Sequence, residues 1–196
     1  MSVEQHKSYA PAGADLRIAV VTASDSRTAE TDDGGRLVRA LCEQASFRVT
    51  ASAIVREDPA LIRTTVADLI DGGGADAVLI TGGTGLSNRD STVEAVAPLL
   101  EKTLPGFGEL FRMLSFAEIG AAAMLSRAFA GTRGPVALFA MPGSPAGVRL
   151  AMERLIIPEL PHIIGQLRRQ PRNVDGEGGG HHHHGGHKGH HHHGHR

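Results

Sequence analysis

Length, composition and charge already exclude several kinds of protein. The chain has 196 residues, a formal net charge of -1 and a pI of about 6.9, so it carries no overall charge that would attract nucleic acid or an anionic membrane. Aromatic residues make up only 4% and tryptophan is absent, which argues against stacking surfaces for single-stranded nucleic acid. No apolar run approaches the roughly 20 residues of a membrane span, and the first residues are polar, so we expect a cytoplasmic protein with a flexible N-terminus over residues 1–15.

The first seventy residues alternate between strand and helix patterns. Continuous runs rich in β-branched residues are typical of buried parallel strands, whereas apolar residues at helical spacing are typical of amphipathic helices. These patterns predict a strand over residues 17–24, a helix over 32–45, a strand over 48–55 and a helix over 59–70 with Asp58 as its cap. The single cysteine, Cys42, lies in the first helix, so no intramolecular disulfide is possible and we expect a core residue.

The same alternation continues to residue 167. We predict a strand over residues 77–80, helices over 92–100 and 107–127, a turn over 131–134, a strand over 136–140 and a last helix over 146–167. Pro158 and Pro161 interrupt the last helix, where we expect a kink or a break. Strands that alternate with helices predict an α/β domain over residues 16–170, with helices on both faces of a mostly parallel central sheet.

Two glycine-bearing loops follow predicted strands. Ligands of open α/β sheets bind beyond the carboxyl ends of the strands, where residues 81–90 (the glycine loop) and residues 141–145 (the Pro-Gly loop) should lie. The glycine loop offers consecutive backbone N–H groups that can surround a phosphate, although it matches neither a Walker A loop nor the dinucleotide fingerprint. The alternative is a simple tight turn. The candidate binding residues of the two loops are Thr81, Gly82, Gly83, Thr84, Gly85, Pro142, Gly143 and Ser144.

Acidic and hydroxyl side chains should lie at the same edge of the sheet. Asp58 and Asp90 occupy strand-to-helix junctions and are candidate Mg²⁺ ligands, since Mg²⁺ takes one or two carboxylates together with phosphate oxygens and water. Both suit the role of helix cap equally well, and that alternative stays open. Ser26 and Arg27 follow the first strand, so Arg27 is either a phosphate ligand or a solvated surface residue.

The end of the chain has a composition that cannot pack a core. From about Pro171 onward Gly, His and charged residues dominate, so we predict a disordered tail over residues 171–196. Neutral imidazoles can bind Ni²⁺, Zn²⁺ or Cu²⁺ in loose sites, and the alternatives are a tolerated low-complexity extension or the remnant of an added tag. The candidate tail ligands are His181, His182, His183, His184, His187, His190, His191, His192 and His193.

Five motifs occur in the order and spacing of a known family. They are TASDSR from Thr22, TGGTGLSNRD from Thr81, PGFGELFRMLSFAEIG from Pro105, LSRAFAG from Leu125 and FAMPGSP from Phe139. With them the chain resembles the MoaB/MogA family of molybdenum cofactor biosynthesis proteins over about residues 16–167. The segment FRMLSFAEIG resembles the MoaB branch in particular. Five linked motifs are much more specific than one glycine loop.

The resemblance implies a three-layer α/β sandwich, commonly a trimer or hexamer, that binds molybdopterin and ATP with Mg²⁺ at the loop edge. Active members adenylylate molybdopterin: its terminal phosphate attacks the α-phosphorus of ATP, and pyrophosphate leaves. They carry an acid at the positions of Asp58 and Asp90, and this sequence keeps both.

The resemblance also leaves other functions open. Some proteins of the MoaB branch do not adenylylate, so the alternative is a non-catalytic protein that binds molybdopterin or another molybdenum cofactor assembly protein. A more distant alternative is the related domain of nicotinamide-nucleotide salvage proteins, which the RMLSF segment disfavours.

Overall fold

A six-stranded sheet forms the centre of the protein, of which the computed structural model describes residues 15–169. The spatial order of the strands is β2-β1-β3-β6-β5-β4. The first four are parallel, while β5 is antiparallel to β6 and β4 is antiparallel to β5, which confirms a mostly parallel sheet. The strands are β1 (Arg17–Ala23), β2 (Arg48–Val55), β3 (Ala77–Thr81), β4 (Lys102–Thr103), β5 (Phe129–Arg133) and β6 (Val136–Met141).

Helices cover both faces of this sheet, as predicted. Alternate residues of β1 point to opposite faces, because side chains alternate along a strand. Ile18 and Val20 pack in a core cluster with α1, α4, α5 and α6, whereas Ala19 and Val21 pack in a second cluster with α2 and α3. The helices are α1 (Asp33–Gln44), α2 (Pro59–Asp71), α3 (Thr92–Val96), α4 (Pro105–Ile119), α5 (Pro145–Ala151) and α6 (Ile157–Leu167), with 3₁₀ turns over Ala97–Leu99 and Gly120–Leu125.

The sequence prediction is wrong at the antiparallel edge of the sheet. Residues 131–133, predicted as part of a turn, belong to β5, and the turn to β6 lies at Gly134 and Pro135 instead. The strand β4 was not predicted at all. Gly131 suggested a turn, but its role is to allow close packing of two strands: a Cβ there would lie 2.4 Å from the carbonyl oxygen of Lys102 in β4.

The last helical region is not broken at its prolines. α5 continues through a π-helical turn (Met152–Ile156) directly into α6, which contains Pro158 in its first turn and Pro161 in its interior. A proline removes one N–H and crowds the carbonyl four residues earlier. For Pro158 that carbonyl belongs to Arg154, inside the π turn, where the α-helical bonding pattern is already shifted. The irregularity therefore precedes the prolines.

Other predictions concern single residues or the ends of the chain. Cys42 is fully buried, and burial raises the pKa of its thiol to about 12, so the predicted core role is confirmed. Within residues 15–169, no helix is long and apolar enough to cross a membrane. Residues 1–14 of the predicted N-terminal segment and the whole predicted tail lie outside the described residues.

Candidate functional site

The two glycine-bearing loops lie side by side at the carboxyl ends of β3 and β6, as predicted. The N–H of Gly82 donates to the carbonyl oxygen of Met141 at 3.0 Å, and the Thr81 hydroxyl donates to the carbonyl oxygen of Pro142 at 3.1 Å. A Cβ on Gly143 would lie 3.3 Å from Cα of Gly82. The two loops therefore form one continuous backbone surface, which we call the carboxyl rim.

Close backbone packing explains the first two glycines of the glycine loop. Gly82 has φ of +95°, and a Cβ on it would lie 2.3 Å from the carbonyl oxygen of Ala23 at the end of β1. Gly83 has φ of +63°, and its Cβ would lie 2.4 Å from the Thr92 hydroxyl at the start of α3. Residues that carry a side chain rarely adopt such φ values, so both positions require glycine. The tight-turn alternative therefore accounts for these two residues.

Backbone N–H groups of the same loop are available to a ligand. Within residues 15–169, the N–H groups of Gly83, Thr84 and Gly85 donate to no protein acceptor, whereas the carbonyls of all three accept hydrogen bonds. Successive N–H groups of this kind form a nest, a backbone concavity that binds anions. The tight turn and the anion site are thus compatible in one loop.

A cleft of about 260 Å³ adjoins this nest, and a second depression of about 370 Å³ lies beside it. Asp90 lines both and marks their boundary. The cleft is polar at the glycine loop and closed on the other side by the Pro-Gly loop and the 3₁₀ turn after α4. Its lining residues are Gly83, Thr84, Gly85, Asp90, Leu125, Ser126, Pro142 and Gly143.

Asp90 is not a helix cap. The capping position of α3 belongs to Ser91, and Asp90 instead accepts a hydrogen bond from the N–H of Ser87 at 2.7 Å. Its carboxylate lies against Gly85, where a Cβ would be 2.7 Å from Oδ2. The glycine thus allows the carboxylate to approach the nest directly.

Asp58 is a helix cap. Its Oδ1 accepts hydrogen bonds from the N–H groups of Ala60 and Leu61 at 2.8 and 3.0 Å, which satisfies the first free donors of α2. The side chain is exposed. The structural alternative for Asp58 therefore holds in this conformation.

Glu57, next to Asp58, is an acid whose pKa depends on the charge of Asp90. Sequence analysis missed it. Partial burial raises the pKa of Glu57, and the negative charges of Asp90 and Asp25 raise it further, while Arg89 opposes them. The N–H of Glu57 donates to Oδ1 of Asp25 at 3.1 Å, which connects the loops after β1 and β2. Asp25 lies within the TASDSR motif, so the motif itself indicated an acidic residue at this edge of the sheet.

These carboxylates do not form a complete metal site. Among residues 15–169, no group of three or more His, Cys, Asp or Glu side chains is placed to hold a metal ion. Mg²⁺ bound with a phosphate needs only one or two carboxylates, because phosphate oxygens and water supply the other ligands. Asp90 beside the glycine loop, with the charge of Glu57 near enough to interact with it, therefore fits a metal-phosphate complex better than a free ion.

The remaining predicted residues have mainly structural contacts. Ser144 caps α5 by accepting from the N–H of Gly147 at 3.2 Å, and it is exposed beside the cleft. Ser26 is exposed, and its N–H lies 3.3 Å from the Ser24 hydroxyl. Arg27 donates to the carbonyl oxygen of Thr31 at 2.8 Å, so its guanidinium is directed to the loop before α1. The tail histidines, His181 to His184, His187 and His190 to His193, lie outside the described residues.

A buried aspartate below the rim was also missed by sequence analysis. Asp32 is 1% exposed and accepts from the Thr22 hydroxyl at 3.0 Å and from the N–H of Gly35 at 2.9 Å. It thereby joins the end of β1 to the start of α1. A Cβ on the adjacent Gly34 would lie 2.8 Å from the carbonyl oxygen of Gly143, so α1 begins directly against the Pro-Gly loop.

Known proteins resemble this chain over most of its length. Residues 19–162 match a family model described as "Probable molybdopterin binding domain". Molybdenum cofactor biosynthesis protein B of Bacillus cereus is 50% identical over 171 residues, which cover 87% of this chain and 100% of that protein.

Solved structures show the same fold. A crystal structure titled molybdenum cofactor biosynthesis protein B has a TM-score of 0.77 and 50% identity, covering 79% of this chain and 97% of its own. The molybdopterin biosynthesis enzyme MoaB of Thermus thermophilus has a TM-score of 0.70 and 34% identity, covering 80% of this chain and 98% of its own.

Proposed function

Because this chain belongs to the MoaB/MogA family of molybdenum cofactor biosynthesis proteins, we propose that it binds molybdopterin and ATP at the carboxyl rim and joins them by adenylylation, in the cytoplasm. One observation carries the proposal: Gly83, Thr84 and Gly85, whose N–H groups have no acceptor within residues 15–169, line a cleft that Asp90 borders. Both substrates present phosphates, and a backbone nest binds phosphate without needing a cationic side chain.

The reaction needs little proton transfer from the protein. The terminal phosphate of molybdopterin is already an anion, and one of its oxygens forms a bond to the α-phosphorus of ATP. The bond between the α-phosphorus and the bridging oxygen to the β-phosphate breaks, and pyrophosphate leaves with that electron pair. The contribution of the chain is to hold the two phosphates in line and to stabilise their charge through backbone donors.

The acids of the rim have a separate role. We propose Glu57 and Asp90 as the carboxylates that would hold Mg²⁺, while Asp58 keeps its capping contacts to Ala60 and Leu61. When bound, Mg²⁺ offsets the charge of the phosphoanhydride and of the leaving pyrophosphate. Partial burial is the main cause of the raised pKa of Glu57, and a nearby cation would offset the smaller part that comes from the charges of Asp90 and Asp25.

A second candidate function is binding without turnover, either of molybdopterin or of another molybdenum cofactor assembly protein. The capping contacts of Asp58 favour it, because they occupy Oδ1 and hold the side chain at the start of α2. In this case the nest binds the phosphate of molybdopterin and ATP does not react.

The deciding experiment measures pyrophosphate release by the pure protein given molybdopterin, ATP and Mg²⁺. We expect turnover by the wild type and a loss of about 100-fold or more in Asp90→Asn, which keeps the shape of the side chain but removes its charge. Asp68→Asn, which changes an exposed acid on α2 away from the rim, is the matched control and should keep full activity. Binding of molybdopterin without turnover by the wild type would favour the second function.

We further propose that the protein is a homo-oligomer, a trimer or a hexamer. Along α4, large apolar side chains recur every three residues and stay exposed, with Met113 at 60% and Phe116 at 62%. Monomeric proteins rarely expose apolar patches of this size. The patch consists of Leu110, Met113, Phe116, Ile119, Met124 and Leu125.

Light scattering of the purified protein tests the oligomer. We expect three or six copies, and we expect Phe116→Glu to lower the mass, since it places a charge inside the contact. Glu118→Gln, on the same helix but outside the patch, should leave the mass unchanged. A monomeric wild type would instead favour a different assembly protein as the partner of this patch.

For the histidine-rich tail, whose residues lie outside the described part, we propose loose binding of Ni²⁺ or Zn²⁺. Titration of the full chain against a variant that ends at Arg169 measures it. We expect several bound ions for the full chain and none for the short variant, and equal capacity would contradict the proposal.

A further inference from the structure

One arginine, Arg127, binds three carbonyl groups of the glycine loop. The backbone N–H of Arg127 donates to the carbonyl oxygen of Thr84 at 2.9 Å. The guanidinium donates through Nε to the carbonyl oxygen of Gly85 at 2.7 Å and through Nη2 to that of Asp90 at 3.2 Å. Three carbonyls of one loop therefore bind one residue.

The guanidinium is itself fixed by a carboxylate. Glu94 of α3 accepts from Nη1 of Arg127 through Oε1 and from Nη2 through Oε2, the second at 3.3 Å, in the paired geometry that arginine and carboxylates favour. The hydrogen bond from Arg127 lowers the pKa of Glu94, so Glu94 stays ionised at neutral pH. Since its N–H groups are directed to Glu94 and to the loop, Arg127 is not placed to bind a substrate phosphate.

The backbone on either side of Arg127 is held as well. Nη1 of Arg112, on α4, donates to the carbonyl oxygens of Ser126 and Ala128 at 3.3 and 3.1 Å. β5 begins immediately afterwards, at Phe129. Arg127 thus extends from a fixed segment, and it can impose a position on the loop instead of following it.

Peptide geometry connects this hold to the nest. In a trans peptide the C=O and the following N–H point in opposite directions. Because the carbonyl of Thr84 is held toward Arg127, the N–H of Gly85 points away from it, and the carbonyl of Gly85 likewise turns the N–H of Leu86 away. The contacts of Arg127 therefore orient the N–H groups of Gly85 and Leu86, whereas Thr92, which binds the carbonyls of Gly82 and Gly83, orients those of Gly83 and Thr84.

We propose that Arg127 is a positioning residue that presents the N–H of Gly85 in the glycine loop, together with Asp90, to the phosphates of the substrates. This inference rests on the proposed function for its substrate, but not for its structural content. The proposal rests on the hydrogen bonds of Arg127 to the carbonyls of Thr84, Gly85 and Asp90 and to the carboxylate of Glu94, which orients its guanidinium.

The test combines local hydrogen exchange with kinetics on the full chain. In Arg127→Gln we expect faster amide exchange across residues 82–91 by about tenfold or more, with β1 and α1 unchanged, since the loss removes hydrogen bonds from a charged donor. We also expect the KM for ATP to rise by about tenfold, with a smaller change in kcat, because phosphate binding weakens first. Arg127→Lys, which keeps the charge and one donor, should restore part of both.

Arg149→Gln is the matched control, because Arg149 is an exposed arginine of α5 that pairs with Glu153, four residues later in the chain. It should change neither measurement. If Arg127→Gln does not fold, Arg127→Lys and Glu94→Gln replace it, each with a smaller increase in loop exchange. Unchanged loop exchange in these variants would overturn the inference whatever the wild type does. A wild type without turnover would overturn the adenylylation proposal only, since the exchange comparison still decides the role of Arg127.

Discussion

At the amino end of the parallel strands, Asp76 is surrounded by arginines, whereas at the carboxyl end Glu57 experiences the charges of other acids. Asp76 accepts from the backbone N–H of Arg17 at 2.9 Å and pairs with Nη2 of both Arg17 and Arg168 at 3.0 Å. Burial acts to raise its pKa, but these hydrogen bonds outweigh burial and lower the pKa to about 2. The pKa of Glu57 is raised instead. Charges are paired at the first end, whereas the second end leaves negative charge that the proposed Mg²⁺ would offset.

Cavity size does not distinguish the two ends. A depression of about 310 Å³ at the amino end is larger than the cleft of about 260 Å³ at the carboxyl rim. Its charged side chains already pair within the protein: Arg17 with Asp76, and Arg133 with Asp71 at 3.4 Å. The carboxyl rim has open backbone donors and repelling carboxylates. Backbone donors without acceptors and carboxylates that repel each other distinguish the candidate site better than cavity volume does.

Replacing Gly82 with Ala should have the largest effect on stability and tests whether packed backbone holds the carboxyl end. The new Cβ would meet the carbonyl oxygen of Ala23 at 2.3 Å, and φ of +95° is unfavourable for alanine. We expect the free energy of unfolding to fall by about 3 kcal/mol in urea denaturation. Gly134→Ala, with φ of +54° and no atom near its Cβ, should cost about 1 kcal/mol. Equal losses would show that the backbone contact at Gly82 is not tight.

Replacing Asp76 with Asn should be next in size and tests the paired end. The unfolded carboxyl titrates near 3.8 and the folded one near 2, so the stabilisation is present above about pH 4 and is lost as the pH falls toward 2. We expect the variant to lose about 2 kcal/mol of unfolding free energy at pH 7, and much less near pH 2. Asp68→Asn, at an exposed position, controls for the loss of one acid. A difference that does not depend on pH would contradict the ion-pair explanation.

Replacing Ser144 with Ala should cost about 1 kcal/mol, because Ser144 caps α5 through the N–H of Gly147. Ser144→Asp should keep the cap and the melting temperature, but it places a negative charge beside the cleft. If Ser144 also lies next to a bound phosphate, molybdopterin affinity should fall in Ser144→Asp more than in Ser144→Ala. Equal affinities in calorimetric titrations would restrict Ser144 to its structural role.

The sequence predicted the parallel half of this molecule well because its signals are local. Buried parallel strands such as β3 and β6 are continuous apolar runs, and glycines after them indicate the loop edge. The antiparallel edge escaped prediction because Gly131 alone suggests a turn, and only its distance to Lys102 shows why a strand needs glycine there.

The candidate site was predictable to a similar degree. The glycine loop and Asp90 follow from position at a strand end, but the contacts of Asp90, Glu57 and Arg127 depend on three separate loops meeting. Nε of Arg127 lies 2.7 Å from the carbonyl oxygen of Gly85, but the two residues are 42 positions apart in the sequence. No local sequence pattern indicates such a contact. Asp58 was ambiguous for another reason, because one residue type serves equally as helix cap and as metal ligand.

Replacing Glu57 with Gln should have the smallest effect and the opposite sign. Above its ordinary pKa of 4.5, ionised Glu57 is destabilised by partial burial and by the charges of Asp90 and Asp25, a cost that glutamine avoids. We therefore expect a slightly higher melting temperature at pH 7 and none of this gain well below pH 4.5, where the folded and unfolded states are both protonated. Mg²⁺ should stabilise the wild type more than the variant, and Glu109→Gln, at an exposed position on α4, should respond to neither change. A variant less stable than the wild type at pH 7 would mean that Glu57 has a stabilising partner, and the two ends of the sheet would then use charge in the same way.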